Sequence, residues 1–163
     1  MIITIKNKNT LILDDFKFKC CVGKYGVTKH KIEGDKKTPK GTYELDNLFF
    51  RKDKFSKLDT KLKTIPITKN MGWCDDVKSK KYNKLIRVHN KIKHEKIFRK
   101  DSNYDLMIPI KYNMTRPKRS KGSAIFLHLT KNYKKTLGCV AIQKKDMLIL
   151  IKLINKKTKI KII

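Results

Sequence analysis

Two side chains near the C-terminal end of this chain have the right types to do acyl chemistry together. His128 and Cys139 lie in "SAIFLHLTKNYKKTLGCVAI", with ten residues between them. A thiol attacks carbonyls as a thiolate, so it needs a base within reach and N–H donors to hold the oxyanion that forms. His128 closes the apolar run "AIFLH" and Cys139 opens "CVAI", so both read as strand residues. If the strands are neighbours, the short connection brings thiol and imidazole together. Gly138 would let the backbone turn sharply before the thiol. The Gly138 and Cys139 N–H groups would then face an acyl oxygen, and the carbonyls of the strand holding His128 and Leu129 could fix the imidazole tautomer. Spacing alone favours a blander account, in which Cys139 is a core thiol and His128 a hydrogen-bonded strand residue.

The other chemistry-bearing residues are less organised. Cys20, Cys21 and Cys74 show no Cys-x-x-Cys spacing, which argues against a zinc site or a redox centre. Cys20 and Cys21 are adjacent, so a strand would point them to opposite faces and place at most one in the core. A bond between them would be strained. His30, His89 and His94 lack metal-ligand spacing and read as surface or loop residues, so no metal and no cofactor is expected. Trp73, Cys74, Asp75, Tyr82 and Asn83 form an aromatic and polar stretch that either packs or walls a groove. Asp35 and Thr38 read as turn formers ahead of Pro39 and Gly41.

The elements that must position these groups are mostly short strands. "MIITIK" and "NTLIL" alternate apolar and polar residues and predict a hairpin turning around Asn7 to Asn9. "FKFKCCVG" continues the period of two, with Phe16, Phe18 and Cys20 on one face. A long Gly-, Pro- and Thr-bearing loop then enters a strand at Thr42 to Leu45. "NMGWCDDVKSKKYNKLIRV" reads as an irregular loop leading into a short strand. "NKIKHEKIFRKDSNYD" predicts a short helix with Ile92, Ile97 and Phe98 inward. "LMIPIKYN", "SAIFLHL" and "GCVAIQ" read as strands, "KKDMLILIKLIN" as a helix with Asp146 near its start, and "KTKIKII" as a closing strand. The pattern predicts a single mainly β domain over residues 1–163 with one or two short helices.

Composition narrows the setting. Apolar residues are 39% of the chain, enough for one core in 163 residues. No apolar run approaches the roughly 18–20 residues of a membrane span. The start lacks the layout of a secretory leader, which keeps a cytoplasmic location open. The charge is extreme, 42 basic against 14 acidic residues, or +28. Arg occurs only at 51, 87, 99, 116 and 119, and sequence-specific nucleic-acid readers lean on its bidentate fork. The expectation is therefore no specific nucleic-acid partner and, at most, nonspecific polyanion binding through lysine. Compositional bias toward Lys, Ile and Asn explains the same charge. A monomer is expected.

Two separated segments carry a resemblance. "KIEGDKKTPKGTY" supplies Lys31, Gly34, Asp35, Thr38, Pro39, Gly41 and Tyr43, and "HLTKNYKKTLGCV" supplies His128, Thr136, Gly138, Cys139 and Val140. In this order they resemble the L,D-transpeptidase catalytic domain, the YkuD-like family of bacterial peptidoglycan enzymes, and the likeness runs over about residues 1–155. It implies a β-sandwich with the cysteine at a strand edge facing a groove. It implies Cys139 as nucleophile, His128 as base and later acid, and Gly138 with Cys139 as oxyanion donors. The implied substrate is a peptidoglycan stem peptide, cut at an L-to-D centre through a thioester and then passed to an amine or to water. Thr136, Arg99, Tyr82 and Trp73 are the expected substrate contacts, with Arg87 or Arg116 as other candidates for a stem carboxylate. The implied location is the cell envelope or periplasm. The chain departs from better-known members at Leu137, where they carry His, at Ala141, where Arg or Asn is common, and in its shorter His-to-Cys gap.

Overall fold

The computed structural model describes residues 1–88 and 92–163. Ten strands, numbered along the chain, form one continuous sheet. Their spatial order is β6 (Gly41–Glu44), β15 (Lys159–Ile162), β1 (Ile2–Lys6), β2 (Thr10–Leu13), β3 (Phe16–Cys21), β14 (Val140–Ile142), β13 (Phe126–Leu129), β12 (Leu106–Pro109), β7 (Leu48–Phe50) and β8 (Thr64–Pro66). The β15–β1, β14–β13 and β7–β8 pairs are parallel and the others antiparallel. A second sheet joins β10 (Leu85–Arg87), β9 (Met71–Cys74) and β11 (His94–Lys96), and a parallel pair, β4 (Val27–Thr28) with β5 (Thr38–Pro39), pins the long loop. The fold is a mainly β sandwich with one helix, α1 (Lys144–Leu153), among the described residues.

Local chemistry accounts for these elements. The β1–β2 hairpin turns through Asn7 (φ 52°) and Lys8 (φ 61°), the paired positive angles that match the twist of a tight hairpin. In α1, Met147, Leu150 and Ile151 make one buried stripe, while Asp146 and Lys152 sit at the ends that favour their charges.

The central strands β12, β13 and β14 are buried on both faces. One face turns Leu106, Ile108, Leu127, Leu129, Val140 and Ile142 into a large core shared with α1 and the β1–β2 strands. The other turns Met107, Phe126 and Cys139 into a smaller core with Trp73 and Ile97 from the three-stranded sheet. Each fully buried apolar side chain contributes about 1.5–3 kcal/mol.

Three expectations need correcting. The stretch around residues 92–98 is β11 rather than a helix, because His94 to Lys96 pair with β9 and send Ile97 into the second core; its flank at 90–91, and His89, lie outside the described residues. Met71–Cys74, read as loop, is the middle strand of that sheet. Cys20 and Cys21 are both buried, because only the end of β3 is covered on both faces: Lys17 and Lys19 stay exposed on the outer face, whereas Cys21 lies under the 130–134 segment, its Sγ donating to the Lys134 carbonyl at 3.3 Å. Phe16, by contrast, is exposed at the strand's start.

Candidate active site

The parallel pairing of β13 with β14 sets His128 opposite Ala141 and Leu127 opposite Val140. Cys139, one residue before β14, is therefore level with Phe126. Residues two apart on a strand share a face, so Cys139 and His128 lie on the same face as diagonal neighbours across the pair, on the order of 7–8 Å apart at the backbone. Both line a cavity of about 590 Å³. Its walls come from three places: the 31–36 loop, the 93–104 segment and the 130–137 loop.

His128 is held in one tautomer. Its Nδ1 lies 2.8 Å from the Leu129 carbonyl, and a carbonyl only accepts, so Nδ1 carries the proton and Nε2 keeps its lone pair. Tyr104 stands edge-on to the ring at 5.1 Å. The Tyr104 hydroxyl donates to Glu95 Oε1 (3.0 Å), which also takes Arg99 Nη1 (3.1 Å). Burial pushes the imidazole down to about 4, because the low-polarity surroundings penalise its charged form. The ring is thus neutral near pH 7.

The thiol is equally constrained. Cys139 Sγ donates to the Ala124 carbonyl (3.3 Å) and accepts from the Phe126 N–H (3.3 Å). Burial pushes the thiol up to about 12, opposed by the Phe126 N–H. Resting thiol and imidazole are therefore both uncharged.

The turn before the cysteine is built from hydroxyls. Thr136 Oγ1 donates to the Cys139 carbonyl (2.6 Å) and accepts from the Gly138 N–H (3.1 Å). Thr38 Oγ1, fully buried, accepts from Gly23 N–H (2.9 Å) and reaches the Cys139 carbonyl at 3.4 Å. Gly138 has φ 145°, and a Cβ there would stand 3.1 Å from the Lys37 carbonyl. Asp35 knits the preceding loop, accepting from the Ile32 and Lys37 N–H groups and pairing with buried Lys31 at 2.5 Å. The upstream TP-x-G segment and the Gly-Cys turn thus form one unit.

The expected substrate contacts divide. Thr136 and Arg99 line the cavity. Arg99 is already engaged with Asp101 and Glu95. Tyr82 and Trp73 are each 2% exposed and stand behind the wall instead. Trp73 donates its indole N–H to Asn83, and Tyr82 bonds Glu33. Arg87 and Arg116 do not line the cavity. Leu137, 71% exposed, forms part of its lip. Sequence reasoning missed Tyr104, Glu95 and Ala124, whose neighbours in the chain signal nothing. Among the described residues no three His, Cys, Asp or Glu side chains gather as metal ligands do.

A mainly β sandwich that sets a cysteine and a histidine on the lining of one cavity belongs to a recognisable class. The chain matches the L,D-transpeptidase catalytic domain family, YkuD, over residues 2–162, and it belongs to that family. A solved structure, Bd1075 of Bdellovibrio bacteriovorus, is similar in fold, with a TM-score of 0.53 at 17% identity. The match covers 99% of this chain and 47% of that one, so the chain spans about half the length of that relative. No curated protein matches the sequence.

Proposed function

We propose that the protein is a cysteine-dependent acyl-transfer enzyme acting on peptidoglycan stem peptides at the cell envelope. The observation that carries this reading is the shared cavity of Cys139 and His128, with Nε2 left unprotonated by the Leu129 contact. Substrate entering the cavity displaces water and lets Nε2 take the thiol proton as Sγ bonds to the scissile carbonyl carbon. The carbonyl electrons move to oxygen, where the Cys139 N–H stabilises the charge. The Gly138 N–H joins once it leaves Thr136 Oγ1. The intermediate collapses, the C–N bond breaks, and the imidazolium gives its proton to the departing amine of the terminal D-residue. The resulting thioester passes its acyl group to an amine of a second stem, or to water.

The assay is release of the terminal D-residue from a stem tetrapeptide by wild type and by Cys139→Ala. Release that disappears in the variant is expected. Equal release by both would overturn the reading. A second reading, a polyanion-binding module on a catalytically retired fold, draws on the +28 charge. It predicts that Cys139→Ala leaves function unchanged and that binding falls steeply with salt.

A further inference from the structure

The thiol is aimed by a residue far from it in sequence. Asn83 is 2% exposed, and all four of its side-chain hydrogen-bonding positions are filled. Oδ1 accepts from Trp73 Nε1 (2.9 Å) and from the Ala124 N–H (3.1 Å). Nδ2 donates to the Tyr112 carbonyl (3.0 Å) and the Asn113 carbonyl (2.7 Å). The amide orientation is unambiguous, because a flip would set donors against donors and acceptors against acceptors. Ala124 has φ 52°. A left-handed backbone crowds Cβ against the following carbonyl in a non-glycine residue, and alanine has no side-chain group to offset it. Something outside must hold it there, and the Asn83 contact does.

Ala124 in turn shapes the surroundings of the sulfur. Its carbonyl accepts the hydrogen bond of the thiol, and two residues later the Phe126 N–H points at Sγ. The neighbouring Ser123 is gripped too, its hydroxyl donating to Glu33 Oε2 at 2.7 Å.

We infer that Asn83 is a positioning residue for the nucleophile: it holds Ala124 in the left-handed conformation that aims the Ala124 carbonyl and the Phe126 N–H at the Cys139 sulfur. The inference rests on Cys139 being the nucleophile. It gives Trp73 a role behind the groove, as the donor that fixes the Asn83 amide. An N–H directed at sulfur favours the thiolate, so loss of Asn83 acts on thiol ionisation as well as on stability.

The test is the pH dependence of Cys139 alkylation by iodoacetamide, read by peptide mapping so that Cys20, Cys21 and Cys74 are counted separately, with thermal unfolding alongside. Asn83→Ala is expected to shift the alkylation profile so that, at any fixed pH well below the thiol's raised pKa, Cys139 reacts about tenfold more slowly, the thiolate lost to a one-unit rise. Adding Ala124→Gly is expected to recover much of that shift, because glycine takes φ near +50° without penalty, while leaving the lowered unfolding temperature unrecovered. Trp73→Phe should shift the profile in the same direction by less, and it carries the test if Asn83→Ala does not fold. An alkylation profile that superimposes on wild type in the folded variants reduces Asn83 to a structural tie and overturns the inference. So does a shift that Ala124→Gly leaves untouched. Alkylation needs no peptide, so failed turnover of stem peptides would count against the proposed substrate while leaving this result standing.

Discussion

At the scale of residues, the site rests as two uncharged partners, each made so by burial. The sign of the pH dependence follows. The folded His128 stays neutral down to about 4, whereas an unfolded histidine takes a proton near 6.5. Between those values the unfolded chain binds the extra proton, so stability falls as pH falls through the window, by at most about 3 kcal/mol. Thermal unfolding from pH 7 to pH 4 should show that loss, and His128→Phe should flatten it. Activity follows the same group: the acid limb of kcat/KM is expected near pH 4, and a limb near 6.5 would mean the base is solvated. Asp35 and Thr38 were legible in the sequence as turn formers, whereas Cys139 and His128 stood out only through the two separated motifs, because spacing alone favoured a core thiol and a hydrogen-bonded histidine. Asn83 was visible only as one polar residue in an aromatic stretch. Its work depends on a left-handed angle at Ala124, forty-one residues away in sequence, which no local pattern encodes. Trp73 and Tyr82 read as groove wall because large aromatics fit either side of one.

At the scale of elements, the Gly-Cys turn decides whether the thiol meets the imidazole. Gly138 combines φ 145° with a Lys37 carbonyl where a Cβ would go. Gly138→Ala is expected to destabilise the fold by about 1–3 kcal/mol and to lower kcat far more than it raises KM; denaturant unfolding and steady-state kinetics measure the two effects. An unchanged kcat would separate the turn from the chemistry. Strands with clean alternation or continuous apolar runs, such as β1 and β12, were legible, as was α1 with its apolar length. The three-stranded sheet was not. Met71–Cys74 carries one glycine and two large residues without alternation, and its strand state comes from pairing with β10 and β11. Residues 92–98 were misread for the same reason, since tertiary pairing overrode a weak helical spacing.

At the scale of the whole molecule, the long sheet sets β1 and β15, the first and last strands, side by side in its interior. β1 runs parallel to β15, matching Ile3 with Ile160 and Ile5 with Ile162, and all four side chains are buried. The long sheet that carries β14 therefore also depends on the chain's final residues. Ile160→Ala is expected to cost about 2–5 kcal/mol in denaturant unfolding, well above the effect of trimming an exposed strand residue. The mainly β class was legible from strand count, but the order of strands was not, because β15 joins β1 and β6, and β14 joins β3, from the far end of the chain. The charge of +28 belongs to this scale as well. Its lysines ride on strands, loops and helix alike, so the charge is spread over the surface rather than gathered into one tract.

The central claim is that Cys139 forms a thioester with the stem peptide. Intact-mass analysis of the protein during incubation with muropeptides tests it most directly. The account predicts a transient adduct equal in mass to the acyl part of the stem on wild type, absent from Cys139→Ala and accumulating slowly or not at all in His128→Ala. Turnover without any adduct, or an adduct that persists in Cys139→Ala, would contradict it.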